Sequence, residues 1–484
     1  MKVCHVSTLC VAAALLAFGA APGFDRAIAA QSDQPEAGAG EVLTRGPVHE
    51  AFAETITFDP QPGIVVSKAP PDAIEEVPPD QRPEGNNVTW IPGYWGWDDE
   101  RSDFIWISGI WRELPPGRQW VSGYWGQTDE GYQWTSGYWA DARDARVEYL
   151  PEPPPSVEAG PNVAAPSSDY GWVPGCWVWQ HNRYAWRPGF WQAGREDWDW
   201  VPAHYIWAPR GYVYSDGYWD YPVGDRGVLF APVYFDAGVY GRRGFSYSPS
   251  IAIDLAVFSD HLFVRPSYGH YYFGDYYADN YRDRGFFASF SFNSGRHGYD
   301  PTSAHQRWQH RRDGDWDRRM QADFQNRRDH EDARPPRTMA GQTRTTMGSP
   351  QPGGRRPVLA APYSQVTGRA DNPRRFQPMT RDERQGMAQR GHEVQGFRAT
   401  RQRMEAPPVR RPADRPSRQS GPARVTLPRS PIVGRSPAQL GKGHAPPDRP
   451  QAPRPDTRVK PAGRQDPRSR DAGNAQHNDR SRNR

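Results

Sequence analysis

Eight short segments of this chain are copies of one pattern, Trp-x-x-Gly-x-Trp. Six are complete: Trp90/Gly93/Trp95, Trp106/Gly109/Trp111, Trp120/Gly123/Trp125, Trp134/Gly137/Trp139, Trp172/Gly175/Trp177 and Trp186/Gly189/Trp191. Two degenerate copies follow, Trp200 to Tyr205 with Ala203 in the glycine place, and Tyr214 to Trp219. The copies that start at 106, 120 and 134, and at 172, 186, 200 and 214, are spaced by 14 residues. A fixed short period marks a repeat architecture, in which one unit cannot bury its apolar face alone and neighbours must supply the cover.

Turn-forming clusters fall between the motifs: Asp98-Asp99-Glu100, Pro115-Pro116-Gly117, Thr128 to Gly131, His181-Asn182-Arg183 and Pro209-Arg210-Gly211. Strands bounded by such clusters at regular spacing read as antiparallel β. The expected fold is all-β, an antiparallel meander of 14-residue units over 90–221. Four units lie on each side of a Pro-rich interruption at 151–166, which suggests two four-stranded sheets packed on their Trp faces. The position of the glycine admits two readings. Trp134 and Trp139 are five residues apart, so a regular strand would turn them to opposite faces. A bulge at Ser136-Gly137, and likewise at Gly123 and Gly189, would bring the two Trp of a motif to one face. Alternatively the glycine only gives the Trp rings room and aromatics occupy both faces. A buried Trp removes roughly 150–250 Å² from water, so most of the 18 Trp between 90 and 219 are expected in the core. Tyr94, Tyr124 and Tyr138, on the other face in the bulge reading, are the candidates for stacking on a sugar ring.

The flanks differ in composition. Residues 1–29 read as a secretory signal peptide, with an apolar run at Val11 to Ala21 and an Ala27-Ile28-Ala29 cleavage site. Its removal takes Cys4 and Cys10, leaves no transmembrane segment and leaves Cys176 as the sole cysteine, read as a small apolar residue within the repeat. Residues 30–88 are a Pro-rich linker, in which Ile64-Val65-Val66 is suited to adding a short strand. Residues 228–299 are an aromatic β-rich extension of the array. Asp300-Pro301 is a helix start, and a charged helix is expected over 300–333, with Gly314 a point of interruption. Residues 334–484 are Pro- and Arg-rich, lack periodicity and read as a disordered basic tail. The charge is split accordingly: from 334 on there are 32 basic and 11 acidic residues, against 26 basic and 44 acidic over 30–333.

Catalytic signatures are missing from the sequence. His181, His204, His261, His270, His297, His305 and His310 lack ligand spacing, and Asp275, Asp279 and Asp283 lack the loop pattern of a calcium site. No cofactor, metal or catalytic residue is expected. The motif copies from 90 to 219 resemble the bacterial WXXGXW (YXWGXW) repeat family. Pro78 to Gly85 leading into Trp90, with Phe104 to Gly109, is similar to exported members labelled cell-surface or mu-protocadherin-like proteins. The resemblance brings no activity or binding residue with it, and no cadherin calcium motif is present.

These features imply a non-enzymatic, exported structural or adhesive protein of the periplasm, cell envelope or cell surface. Its basic tail would contact an anionic envelope polymer or polysaccharide by charge neutralisation; export makes nucleic acid the less fitting polyanion. The alternative is a carbohydrate-binding module that uses exposed Trp and Tyr.

Overall fold

The computed structural model describes residues 40–293, 296–347, 357–406, 422–440 and 445–450. The expected signal peptide at 1–29 lies outside these residues. The described chain is mostly short antiparallel strands, with helices concentrated toward the C-terminus.

The eight units pair two by two into four hairpins. In the first, Val88–Ile91 and Tyr94–Asp98 run out, and Asp103–Ile107 and Ile110–Glu113 run back. Their register sets Trp90 opposite Trp111 and Trp95 opposite Trp106. The same crossing recurs as Trp120 with Trp139 and Trp125 with Trp134, and as Trp172 with Trp191 and Trp177 with Trp186. The degenerate copies keep it as Trp200 with Trp219 and Tyr205 with Tyr214. The first Trp of one motif thus meets the second Trp of its partner. In the first hairpin both indole pairs sit edge to face with centroids 5.2 Å apart, the arrangement that aromatic quadrupoles favour. The turns lie where the polar clusters predict. Gln180 and Arg183 close a two-residue loop in which His181 and Asn182 have φ of 50° and 59°, as a type I′ hairpin turn requires.

Each hairpin ladder breaks in the middle, where Pro92-Gly93 faces Ser108-Gly109, Ser122-Gly123 faces Ser136-Gly137, and Pro174-Gly175 faces Pro188-Gly189. The register is the same on both sides of each break. Ile91 lies opposite Ile110, and Tyr94 opposite Ile107. Val121 lies opposite Tyr138, and Tyr124 opposite Thr135. Val173 lies opposite Phe190, and Cys176 opposite Arg187. Neither strand of a hairpin gains a residue, so the bulge reading is corrected at Gly123, Gly137 and Gly189 alike, and the glycine's task is room. A Cβ on Gly109 would lie 2.5 Å from Trp90 Cζ2, one on Gly137 2.5 Å from Trp120 Cζ2, and one on Gly189 2.4 Å from Trp172 Cζ2. Gly189 does this in a looser setting, since it and Trp172 are only half-buried. Without a bulge, the two Trp pairs of one hairpin enter different clusters. Trp90 and Trp111 pack with Val228 and Phe230, whereas Trp95 and Trp106 pack with Phe104, Val233 and Phe235.

The antiparallel all-β class holds, but the sheets are smaller and more numerous than two of four strands. Hairpins do not pair with one another in sequence. Asp103–Ile107 takes Val233–Phe235 as its neighbour, Gly131–Thr135 takes Val65–Val66 from the Pro-rich linker, and Gly211–Ser215 takes Arg146–Leu150. The residues between 228 and 299 supply further cover. Tyr268, Tyr272, Tyr276, Tyr281 and Phe286 bury with Tyr94 and Trp134 in one aromatic cluster.

The charged segment forms two helices, Pro301–Gln309 and Trp316–Asp329, with Gly314 between them. Beyond 333 the expectation of a tail without structure needs correction for the described stretches. Helices Met339–Met347, Tyr363–Gly368 and Arg381–Glu405 and strand Ala423–Thr426 belong to the body. The long helix Arg381–Glu405 starts with a capping box of Thr380 and Glu383 and buries Ala388, Gly391, Val394, Phe397, Arg401 and Glu405 along one face. Only Ala388, Val394 and Phe397 of these are apolar in a helix of 25 residues, so composition does not reveal the face; a buried ion pair completes it. Residues 451–484 of the expected tail lie outside the described residues. No helix among the described residues is long and apolar enough to cross a membrane.

Candidate functional site

At each ladder break, backbone N–H and C=O groups lose their cross-strand partners while buried, which is costly unless other groups replace them. The replacements are charged side chains from outside the motifs. In the first hairpin Glu76 accepts from the amides of Gly93 (2.7 Å) and Gly109 (2.9 Å) and from Trp106 Nε1 (2.9 Å). In the second, Glu50 accepts from the Gly137 amide (3.0 Å) and Trp134 Nε1 (3.1 Å). In the third, Glu158 accepts from Trp172 Nε1 (3.1 Å) and the Gly175 amide. In the fourth, Ala203 and His204 replace the usual residues; Glu54 accepts from the Tyr218 hydroxyl (2.9 Å) and lies at ion-pair distance from His204 Nε2 (3.1 Å).

Guanidinium groups serve the carbonyls. Arg401 donates to the oxygens of Ser122 (2.9 Å) and Ser136 (3.0 Å), which precede the two glycines of the second hairpin. Arg398 donates to Gly93 O (3.2 Å) in the first, and Arg118 to Asp216 O (2.7 Å) and Gly217 O (2.9 Å) in the fourth. Arg401 also lies over the rings of Tyr124 and Tyr138 and pairs with Glu405, which accepts from the hydroxyls of Tyr124 (2.8 Å) and Tyr149 (2.7 Å). Two hairpins are therefore clamped by a carboxylate and a guanidinium on the backbone of the break, and in the fourth Arg118 serves the carbonyls while Glu54 holds side chains beside it.

The Pro-rich stretches deliver the carboxylates and also run along the hairpins as straps. Trp95 Nε1 donates to Asp72 O (2.9 Å), and Trp177 Nε1 to Pro155 O (3.1 Å). Sequence reasoning overlooked these acids, although a signal was present. Glu76 and Glu158 each precede the first Trp of their hairpin by 14 residues, the repeat period itself. Glu50, Glu54, Arg398 and Arg401 lie at no such interval.

The electrostatics follow from burial. Desolvation pushes Glu50 up to about 8 and Glu76 to about 7, against the N–H groups that pull both down. A second buried network holds the first hairpin to the fourth. Arg112 grips both oxygens of Asp220 (2.7 and 2.6 Å), and Arg226 bridges Asp199 and Asp220 at 3.2 Å each. Burial raises Asp199 to about 7. Carboxylates perturbed into the neutral range are features of catalytic sites, but Glu50 and Glu76 are only 2% and 5% exposed. The cavity beside Glu50 measures about 40 Å³, room for a few waters.

The sequence candidates for sugar contact are corrected: Tyr94, Tyr124 and Tyr138 are buried. Tyr94 is held by His270 Nε2 (2.9 Å) and the Glu50 amide (3.0 Å), so its ring faces protein. The histidines are likewise used internally. His49 and His270, pushed down to about 3 by burial, sit beside Pro92 O and Tyr94. Asp275 is bound by Arg337 at 2.7 Å, and among the described residues no three His, Cys, Asp or Glu side chains form a metal-binding group. Cys176 is half-buried with Sγ 3.2 Å from Arg187, and desolvation raises its thiol.

The motif that builds these hairpins is matched by a known repeat. The WXXGXW repeat matches residues 87–112, 168–192, 184–204 and 210–225. The chain carries WXXGXW repeats. No curated protein and no solved structure matches it. In this chain a WXXGXW unit is half of a hairpin. Its two Trp belong to two crossed indole pairs, and its glycine gives one partner indole its place. At Gly93, Gly109, Gly137 and Gly175 the glycine also presents an amide to a carboxylate. The matched stretches omit the second hairpin, 120–139, although its motifs are complete and its Trp120, Trp134 and Trp139 are among the most buried side chains.

Proposed function

We propose that this chain is a non-enzymatic structural or adhesive protein of the cell envelope or surface, reached by export, and that its last basic stretch contacts anionic envelope polymer. The observation that carries the reading is the use of the buried charges. Glu50, Glu76, Arg398 and Arg401 are consumed in closing the ladder breaks of an aromatic body, which supports a structural use for these perturbed and buried charges. Part of the basic region is likewise spent on the body, so the polyanion contact is assigned to 451–484, where Arg454, Arg464, Arg468, Arg470, Arg480, Arg482 and Arg484 stand. Arginines that neutralise a polyanion release its counterions, so the contact weakens steeply with salt. The test replaces these seven arginines by Gln and compares retention on an anionic polysaccharide column and in the envelope fraction of producing cells. Earlier elution and release of the variant are expected; unchanged retention would overturn the polyanion contact.

Hairpin three favours a second reading, carbohydrate contact. Trp172, Trp177, Trp179, Trp186 and Trp191 are only half-buried there, whereas seven of the nine Trp of hairpins one and two, all but Trp97 and Trp125, are buried. A glycan array probed with wild type and Trp179→Ala decides it. Binding that the substitution abolishes supports sugar contact, and a blank array removes it.

A further inference from the structure

In three of the four hairpins a second Trp of a motif uses its indole N–H on the same kind of acceptor. Trp95 Nε1 donates to Asp72 O (2.9 Å), Trp177 Nε1 to Pro155 O (3.1 Å) and Trp219 Nε1 to Asp448 O (3.3 Å). Each acceptor directly follows two prolines: Pro70-Pro71-Asp72, Pro153-Pro154-Pro155 and Pro446-Pro447-Asp448. The three segments come from distant parts of the chain. In two of them a glutamate follows the acceptor, Glu76 after four residues and Glu158 after three. Both glutamates accept from a glycine amide and an indole of the hairpin that their segment crosses.

The prolines supply the physical reason. Two in a row fix φ and hold the preceding residue extended, and a segment of this kind makes no hydrogen bonds of its own. Its carbonyls stay free to accept, and little conformational entropy is lost when it docks. Grooves lined by aromatic side chains bind proline-rich peptides on this basis. A WXXGXW hairpin offers two matched grips: an indole N–H for the carbonyl after Pro-Pro, and a glycine amide with a further indole for the glutamate.

The straps differ in their cover. In the first, Glu75–Glu76 pairs with Ser246–Tyr247, and Ile74 is 5% exposed. Over the third hairpin, no strand pairs with residues 151–163 among the described residues, and Val157 is 58% exposed. The hairpin holds this strap by four side chains and one amide: Trp172 Nε1 and the Gly175 amide on Glu158, Trp177 Nε1 on Pro155 O, the Tyr184 hydroxyl on Pro151 O (2.6 Å) and Trp191 Nε1 on Val163 O (3.0 Å). Release of the strap therefore opens no ladder.

We propose that the face of the third hairpin under this strap is a docking site for a proline-rich peptide in trans, and that the partner segment carries Pro-Pro-x followed three or four residues later by Glu. Residues 151–163 are then a built-in competitor, held near the site at the millimolar effective concentration of a short tether, which the partner displaces. The site rests on neither the polyanion contact nor the sugar contact.

The probe is a fluorescein-labelled peptide with the sequence of residues 151–160, titrated with the full chain and read by anisotropy. Glu158→Ala removes one grip on the tethered strap. Pro154→Gly loosens the strap through its backbone instead, so a fold lost in one variant leaves the other to decide. Each is expected to bind the peptide at least tenfold more tightly than the wild type does. Adding Trp177→Phe, which keeps a ring and removes the N–H, weakens the binding several-fold. Glutamine in place of the peptide's glutamate at 158, or glycine in place of its prolines at 153 and 154, does the same. Binding that ignores these peptide changes would overturn the proposal. So would no binding to either variant; if the variants then sediment as two chains, a second copy covers the face instead.

Discussion

If the glycine exists to seat the partner indole, adding one methyl must cost stability, and shrinking that indole must return part of it. Gly137 provides the test. A Cβ there would meet Trp120 Cζ2 at 2.5 Å, Trp120 Cη2 at 2.8 Å and the Gly123 amide nitrogen at 2.9 Å, and Trp120 is 1% exposed. Overpacking a closed core costs about 1–3 kcal/mol. Displacement of the Gly137 amide from Glu50 leaves a buried donor unpaired, at about 1–3 kcal/mol more. Gly137→Ala is thus expected to destabilise by about 2–6 kcal/mol. Trp120→Phe removes the two indole carbons in question and, as a large-to-small change, costs about 1–3 kcal/mol by itself. The double variant should then cost less than the sum of the singles by about 1–3 kcal/mol, since the two sites are in contact. Gly396→Ala is the control. It lies in the helix Arg381–Glu405 with nothing within 4 Å of its Cβ, so the same change should stabilise by about 0.5–1 kcal/mol. Urea unfolding followed by Trp fluorescence measures all four. A Gly137→Ala cost below about 0.5 kcal/mol, or strict additivity with Trp120→Phe, would refute the seating argument.

Two further outcomes follow from the clamps and a third from the burial of Cys176. Burial raises Glu50 to about 8 from 4.5, so the folded state holds a proton that the unfolded chain has lost, and stability falls as pH rises from 4.5 to 8. Buried His49 and His270, depressed to about 3, take stability away only below their unfolded value of 6.5. Between pH 7 and 8 Glu50 therefore acts apart from these histidines; wild type should lose on the order of 1 kcal/mol there through Glu50, a slope that Glu50→Gln reduces in urea midpoints to the part left by Glu76 and Asp199, both raised to about 7. Arg401→Met leaves Glu405 buried without its cation and should cost about 3–5 kcal/mol; Arg401→Met/Glu405→Met should recover part of this, and an equal or larger loss in the double variant would contradict the clamp. Burial raises the Cys176 thiol, so its alkylation by iodoacetamide at pH 8 should run several-fold slower than that of free cysteine; an equal rate would show an open thiol.

Much of the local structure is legible in the order of residues. The 14-residue period, the polar turns and the Trp spacing suffice for antiparallel strands of known bounds, because strand and turn preferences act over a few neighbours. His181-Asn182 is one example: side chains tolerant of positive φ mark a tight hairpin before any contact is known. Asp300-Pro301 and Gly314 mark a helix start and an interruption in the same way. The spacing of the motif did not say whether its glycine adds a residue to the strand or clears space beside it. The unbroken register across Gly137 and Gly189 decided that, because it depends on the partner strand.

The partners of the breaks were decided elsewhere. Nothing near Gly137 in the chain names Glu50 or Arg401, which lie 87 residues before it and 264 after it. The unpaired amide and carbonyls at a break require an acceptor and a donor, but any buried charge that reaches the position satisfies them. The helix Arg381–Glu405 shows the same limit from the other side. Its sequence is polar and its composition resembles an unfolded tail, since the side chains that hold it, Arg401 and Glu405, are stable in a core only beside Tyr124, Tyr149 and the Ser122 and Ser136 carbonyls. Local sequence determined where the strands would break. Which charges close the breaks was a matter of tertiary structure, because the energy of a buried charge depends on the groups around it and not on its neighbours in the chain.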